Sequence, residues 1–492
     1  MLAERFVQVT EGGGSRLAIE DDVEAVSFAE LGRRAERVAG ALAAQGLAGA
    51  RVAMLVTQGS RWLEAFFGIV LAGGSAVPLS PLHPETEQRW FVEASKSRAL
   101  IVSHELAPRV EPYSQGLPVL DVEQLRTHAS GPRREHGDDD VAVILYTSGT
   151  TGKPKGALIT HANLAQLADL VGSAWRWSED DVLLHCLPLH HLHGLGIALF
   201  VSLLAGGTTR MIEKFDAPRL WDEMPRATVL MGVPTMHKKL LDALDSAPEE
   251  QATRWRTGAG HLRLVTSGSA ALPVTVGERW RELTGHYPLE RFGMTEIGVG
   301  CSNPIDGPRV PGSCGPPLPG MDIRIVGEDG KDVAPGEPGE IWIRGPSVFA
   351  GYDENPEATR AAFVDGWFLS GDTATFVEGG YVKILGRTSV DILKSGGYKL
   401  SALEIEEVLR QHEAIADVAV VGLPDETWGE IAVAAVLLRP GQRVEEEAVR
   451  SWAKERIAAY KVPKRVVVLD DFPRNPVGKV VKPELTKLLA SD

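Results

Sequence analysis

Cysteine is scarce in this chain of 492 residues: Cys186, Cys301 and Cys314 are all there is, and none stands in a CxxC pair. Three thiols cannot build a disulfide framework, which points to a reducing compartment. Positive charge is also in short supply. The 51 Lys and Arg against 66 Asp and Glu leave a net −15, which argues against the basic face of a general nucleic-acid binder. A phosphate ligand stays open, because a few local cations and backbone amides suffice for one. Long apolar runs are missing as well. The longest, Leu195 to Ala205, falls short of the roughly 18–20 residues that cross a bilayer, so no membrane insertion is expected. The opening MLAERFVQVTEGGG lacks the basic start and apolar stretch of a signal peptide, and a cytoplasmic protein is the expectation.

What is present is ordinary globular composition, 44% hydrophobic and 24% charged, with length for about three folding units. The first half alternates helical and strand patterns. A helix is expected from Phe28 through Ala43, a buried strand at 51–56, a helix from Ser60 to Leu71, and strands at 75–79 and 99–103. Two more strands are expected at 228–233 and 262–266. Such alternation implies parallel βαβ units. After about residue 310 the texture changes to alternating apolar and polar residues between Gly/Pro turns, as in 321–326 and 339–344. That predicts a small antiparallel, barrel-like sheet. From about 390 a compact α+β unit follows, with helices at 402–412 and 445–457 and strands at 416–421, 431–438 and 465–469. The fold expected is therefore α/β, a large multi-subdomain N-terminal domain of parallel sheets plus the small sheet, with a smaller mobile α+β C-terminal domain.

The strongest chemical signal is Tyr146-Thr147-Ser148-Gly149-Thr150-Thr151-Gly152-Lys153-Pro154-Lys155-Gly156, between two apolar strand-like stretches. Three glycines, five hydroxyl or phenol groups and two lysines in eleven residues make a donor-rich, cationic loop able to wrap a polyphosphate. It is not a Walker A loop, which needs four residues between its glycines and a Ser or Thr after the lysine. Further on stand Arg291-Phe292-Gly293-Met294-Thr295-Glu296, Ser370-Gly371-Asp372, Gly386-Arg387, and Asn475-Pro476-Val477-Gly478-Lys479. In this order the five segments resemble those of the adenylate-forming superfamily of acyl-CoA synthetases, adenylation domains and firefly-type luciferases.

The resemblance implies a set of roles. Thr147, Ser148, Gly149, Thr150, Thr151, Gly152 and Lys153 hold phosphates, Phe292 stacks on adenine, and Thr295 meets the α-phosphate. Glu296 holds Mg²⁺, Asp372 and Arg387 bind ribose, and Lys479 is the catalytic cation. The chemistry agrees: a carboxylate attacking a phosphate brings two anions together, so charge must be neutralised as it develops. Lys394, Ser395, Gly396 and Gly397 match the stretch that lines the pantetheine path to CoA. The domains implied are 1–386 and 392–492, joined by a hinge over 387–391 with its pivot at Ser389.

The acid is read from three further features. Leu189-His190-His191-Leu192-His193-Gly194 places three imidazoles beside an apolar segment, Ser267-Gly268-Ser269 follows a strand, and Arg291 stands just before the adenine aromatic. An arginine beside the reaction centre suits a second substrate carboxylate, with Ser269 and His193 adding hydrogen bonds. Ser269 is also assigned to the nucleotide side of the site. An ion pair of Arg291 with Glu290 or Asp306 is the structural alternative. No matched carboxylate or cysteine set accompanies the three histidines, which weighs against zinc. Together with Val233-Pro234-Thr235 and the stretch 386–392, these features resemble malonyl-CoA synthetases. The expectation is an ATP-dependent ligase that makes malonyl-CoA from malonate and CoA through malonyl-AMP, releasing AMP and pyrophosphate. The alternatives are a ligase for methylmalonate or another short acid, or an adenylation enzyme loading a carrier protein in trans.

Overall fold

The computed structural model describes residues 1–147, 154–395, 398–474 and 480–490, the side chain of Lys399 excepted. Ser148 to Lys153, Gly396, Gly397 and Lys479 lie outside the described residues.

Two sheets organise the first three hundred residues. One runs in the order Gly298–Ser302, Leu289–Met294, Leu264–Ser267, Val229–Gly232, Val182–His185, Thr208–Met211, Leu17–Glu20 and Ala25–Ser27, parallel except at its two edges. The other runs Gly351–Tyr352, Lys155–Thr160, Val141–Thr147, Ser75–Pro78, Arg51–Leu55, Ala99–Val102 and Val119–Asp121. Its parallel part ends at Val141–Thr147, which pairs antiparallel with Lys155–Thr160. The expected strands and helices fall where the hydrophobic periodicity put them. The helix Phe28–Ala44 starts at Ser27, whose hydroxyl accepts the Glu30 N–H at 3.3 Å, a preferred cap. In Ser60–Leu71 every residue but Arg61 is buried, because one core takes up this helix together with residues of both sheets.

A third sheet, antiparallel, comprises Asp322–Val326, Gly339–Arg344, Trp367–Val377, Phe363–Val364 and Tyr381–Arg387. The last sheet holds Tyr398–Ser401, Ile392–Ser395, Gly429–Leu438, Ile415–Asp425 and Arg465–Val468. Successive strand residues face opposite ways, so Val418 and Val420 join one small core while Ala419, Val421 and Leu423 join another. The large core runs to Val382 and the two small ones begin at Leu393.

The apolar run that begins near Leu195 becomes a π-helix, His193–Phe200, continued by the α-helical turn Val201–Leu204. Periodicity cannot reveal this in a run that is apolar all round. Gly194 permits the wide turn, since a β-carbon there would meet the Pro188 carbonyl at 2.4 Å.

Candidate active site

The strands Leu264–Ser267 and Leu289–Met294 run parallel, with Ser267 opposite Glu290. Their C-terminal ends therefore open side by side, the place where α/β sheets hold ligands. From the first the chain turns into Gly268-Ser269. From the second it passes Arg291 and Phe292 and folds back on Gly298–Ser302, with Thr295 and Glu296 in the turn between.

Arg291 is 4% exposed, and burial lowers its pKa to about 10, so it stays charged at neutral pH. Its Nε and Nη2 have no hydrogen-bond partner among the described residues. Neither proposed ion pair forms: Glu290 accepts the Gly312 N–H at 2.8 Å, and Asp306 pairs with Arg176. The neighbours of the guanidinium include the Cys301 and Cys314 thiols and His193. A hydrogen bond with Cys301, together with burial, pushes the Cys314 thiol pKa well up and keeps it neutral. His193 Nδ1 lies 3.1 Å from Ser269 Oγ, while its Nε2 has no partner among the described residues. Burial, with the charge of Arg291 adding, drives the imidazole pKa well down and leaves it neutral. Ser269 holds φ at 67°, a conformation costly for a non-glycine residue and concentrated at functional sites. Thr266 Oγ1 and Ser267 Oγ are further buried groups without partners among the described residues. A buried cation, a neutral imidazole and the Ser269 hydroxyl thus suit one small polar, anionic ligand. Of the other two histidines, His190 packs edge-on against His83 and tilted against His191.

Glu296 is buried, and that burial raises its pKa. Tyr352 donates its hydroxyl to Oε1 at 3.0 Å, and Lys155 Nζ lies 5.1 Å from the centre of the Tyr352 ring. The hairpin flanking the Gly/Thr loop is thereby brought to Glu296, and Thr147 sits on its other strand, opposite Lys155. Across the third sheet Asp372 faces Arg387, whose Nε lies 3.1 Å from Oδ1. Arg387 Nη1 also donates to the Ser370 carbonyl at 2.7 Å. Gly371, with φ of 71°, makes the turn that leaves room for this side chain.

In the last sheet Lys394 is exposed and Ser395 buried. Next to their hairpin Tyr398 and Tyr460 stack at 4.5 Å although both are about half exposed, and Lys464 covers exposed Trp428 at 4.6 Å. Around the expected pivot, Thr388 is tied back to Thr373 at 2.8 Å and to the Gly371 carbonyl at 3.0 Å. Asp391 is tied both ways: its carboxylate accepts the Arg387 N–H at 3.0 Å and pairs with Lys482 at 2.5 Å. Ser389 and Val390 lie between these anchors.

Tyr352, Tyr460 and Trp428 escaped the sequence reading. Tyr352 reaches Glu296 only because Gly351–Tyr352 pairs with Lys155–Thr160, a contact between distant segments with no local signal. The stacked tyrosines carried one readable hint, aromatic residues close to lysines.

A family model described as AMP-binding enzyme matches residues 6–353, and one described as AMP-binding enzyme C-terminal domain matches 404–479. The mitochondrial malonate–CoA ligase of Mus musculus is 43% identical over 476 residues, 89% of this chain and 82% of that protein. ATP-bound MatB from Rhodopseudomonas palustris, 37% identical, superposes with a TM-score of 0.91 over 99% of both chains, and its apo form with 0.84. With its sheets, its site and both family models in register, the chain belongs to the AMP-binding enzyme family.

Proposed function

We propose that this protein is an acid–CoA ligase that makes malonyl-CoA from malonate, ATP and CoA. A malonate carboxylate attacks the α-phosphate to give malonyl-AMP and pyrophosphate, and the CoA thiolate then displaces AMP. The observation that carries the choice of acid is Arg291. A buried guanidinium with two unpartnered nitrogens suits a substrate with a second carboxylate, to which it donates two parallel hydrogen bonds. His193 and Ser269 complete the site for that carboxylate. The malonate–CoA ligases among the relatives support the same reading.

The remaining roles follow the family. Thr147 and the loop 148–153 take the phosphates, Phe292 the adenine, Thr295 the α-phosphate, Asp372 and Arg387 the ribose, and Lys479 the charge that develops at the adenylate. Glu296 fits a magnesium ion. It is a single hard carboxylate, steadied by Tyr352, and Mg²⁺ bound with substrate phosphates uses one or two such ligands and keeps waters. There the ion supplies charge neutralisation for the phosphates. The C-terminal part, 392–492, pivots at Ser389 to bring Lys394 to Gly397 toward the CoA path. The exposed face of Tyr398, Tyr460, Trp428 and Lys464 suits the adenine and phosphates of CoA.

The test is pyrophosphate release across a panel of acids, with and without CoA. Malonate should exceed acetate and propionate by at least two orders of magnitude in kcat/KM. A preference for a medium-chain fatty acid would end this assignment.

A further inference from the structure

We infer that Glu407 is a positioning residue for the first half-reaction, fastening the C-terminal domain to the loop that holds the acid. The inference rests on the reading above, in which adenylation and thioester formation use different orientations of the two parts.

The helix Val274–Thr284 starts directly after the loop that carries Gly268 and Ser269, and its cap position is Pro273, whose ring offers no acceptor. Its first N–H groups must find partners elsewhere. Glu407, on the helix Ala402–Leu409 of the other domain, supplies them: Oε1 accepts the Val274 N–H at 2.9 Å, and the carboxylate also serves Thr275. A carboxylate at a helix N-terminus is favourable by charge as well as by hydrogen bonding. Arg410, one turn on, holds Glu407 in place at 3.2 Å.

The contact leads straight to the acid site. Glu290, next to Arg291, accepts the N–H groups of Gly312 and of Leu272, the residue before Pro273. Glu290 and Glu407 also feel each other's charge, and burial raises the pKa of both. Docking therefore places a costly carboxylate in the interface, and the two N–H groups of the helix offset that cost. Rotation of the C-terminal domain withdraws the cap and frees the end of the acid-holding loop. Docked, Glu407 steadies Ser269 and Arg291 while the acid is activated.

The experiment uses the full chain with Glu407→Ala and Glu407→Gln. Two rates are measured: malonate-dependent ATP–pyrophosphate exchange, and thioester formation from supplied malonyl-AMP and CoA. Glu407→Ala should slow exchange by about 3- to 30-fold, the size of a lost helix cap, and leave thioester formation within about twofold. Glu407→Gln keeps an acceptor oxygen and should recover most of the exchange. Equal losses in both half-reactions, or no loss in exchange, would overturn the inference, as would a Gln variant no better than Ala. Should Ala fail to fold, Glu407→Asp takes its place, because a carboxylate one methylene shorter no longer reaches the Val274 N–H: a loss confined to exchange supports the role, and any other pattern removes it. A wild-type enzyme inert with malonate but active with another acid refutes only the choice of substrate, and Glu407 is then read with that acid. Inactivity with every acid removes both.

Discussion

The guanidinium of Arg291 lies against the α-carbon of Gly268. A β-carbon at position 268 would stand 2.4 Å from Arg291 Cζ and 2.5 Å from Nε. Gly293 limits it from the other side, where a β-carbon would come within 3.2 Å of Nη1. The cation is thus set between two glycines, and its direction depends on residues that carry no charge.

Gly268→Ala should therefore move Arg291 without removing it. We expect kcat/KM for malonate to fall at least about tenfold, since a misplacement of order 1 Å can cost about 10²-fold. KM for ATP should change little. Steady-state kinetics with malonate varied, then ATP varied, checks this. An unchanged malonate constant would mean that the guanidinium does not read the acid.

Arg291→Met tests the cation itself. Breaking a buried charge pair costs roughly 3–5 kcal/mol, which corresponds to about 10²–10³ or more in kcat/KM. Malonate use should fall by that factor, and butyrate-like acids should gain relative to it. If the variant loses thermal stability but ranks the acids as the wild type does, Arg291 has a structural role only.

Much of this molecule is written locally. The alternation of apolar runs and 3.6-residue patterns gave the parallel sheets, and the helix Ser60–Leu71 was legible to the residue. Motif order put forward Glu296, Asp372 and Arg387 as candidates, and the acid-pocket pattern Arg291, because the chemistry of each is carried by its own side chain. What could not be read was set by partners distant in sequence. The Tyr352 bond to Glu296, the Glu407 cap on Val274 and the Tyr398–Tyr460 stack all arise from tertiary pairing. The π-helix at His193–Phe200 was hidden for another reason: a run apolar on every face has no period to read.

The aromatic face on the C-terminal domain should act on CoA alone. Base–aromatic stacking is worth about 1–3 kcal/mol per base, so Trp428→Ala and Tyr460→Ala should each raise KM for CoA by about 5- to 100-fold. Pyrophosphate exchange without CoA should stay at wild-type rate. A fall in exchange instead would place these rings in the adenylation step.

Acid lability should come partly from His237. It is fully buried, its Nε2 lies 3.1 Å from the Thr266 carbonyl, and burial lowers its pKa from 6.5 to about 4. The unfolded chain thus takes up a proton near pH 6.5 that the native state refuses until about pH 4. This contribution to stability is complete above pH 6.5 and declines as pH falls toward 4, by up to about 1.4 kcal/mol per pH unit. His237→Gln keeps a donor for the carbonyl and does not titrate. Urea unfolding at pH 7.5 and 5.5 should show a smaller loss in the variant, by about 1 kcal/mol, even where packing on Trp280 suffers. Equal losses would show that His237 protonates freely in the native state.

Tyr352 should set the acid limb of activity through Glu296. Burial raises the Glu296 pKa, and the hydrogen bond from the Tyr352 hydroxyl acts the other way by stabilising the carboxylate. The role proposed for Glu296 at magnesium requires its carboxylate ionised, so activity should be lost as pH falls through its pKa. Tyr352→Phe removes the donor and keeps the ring that packs near Lys155. The pKa of Glu296 should rise further, and the acid limb of kcat/KM for ATP should move to higher pH. On the alkaline side of the limb, where Glu296 is ionised in both proteins, the variant should approach wild type. Raising magnesium should pull the limb back down, because the ion competes with the proton for the same oxygens. A limb that stays in place while activity falls evenly at every pH would mean that Tyr352 supports packing and not the charge of Glu296.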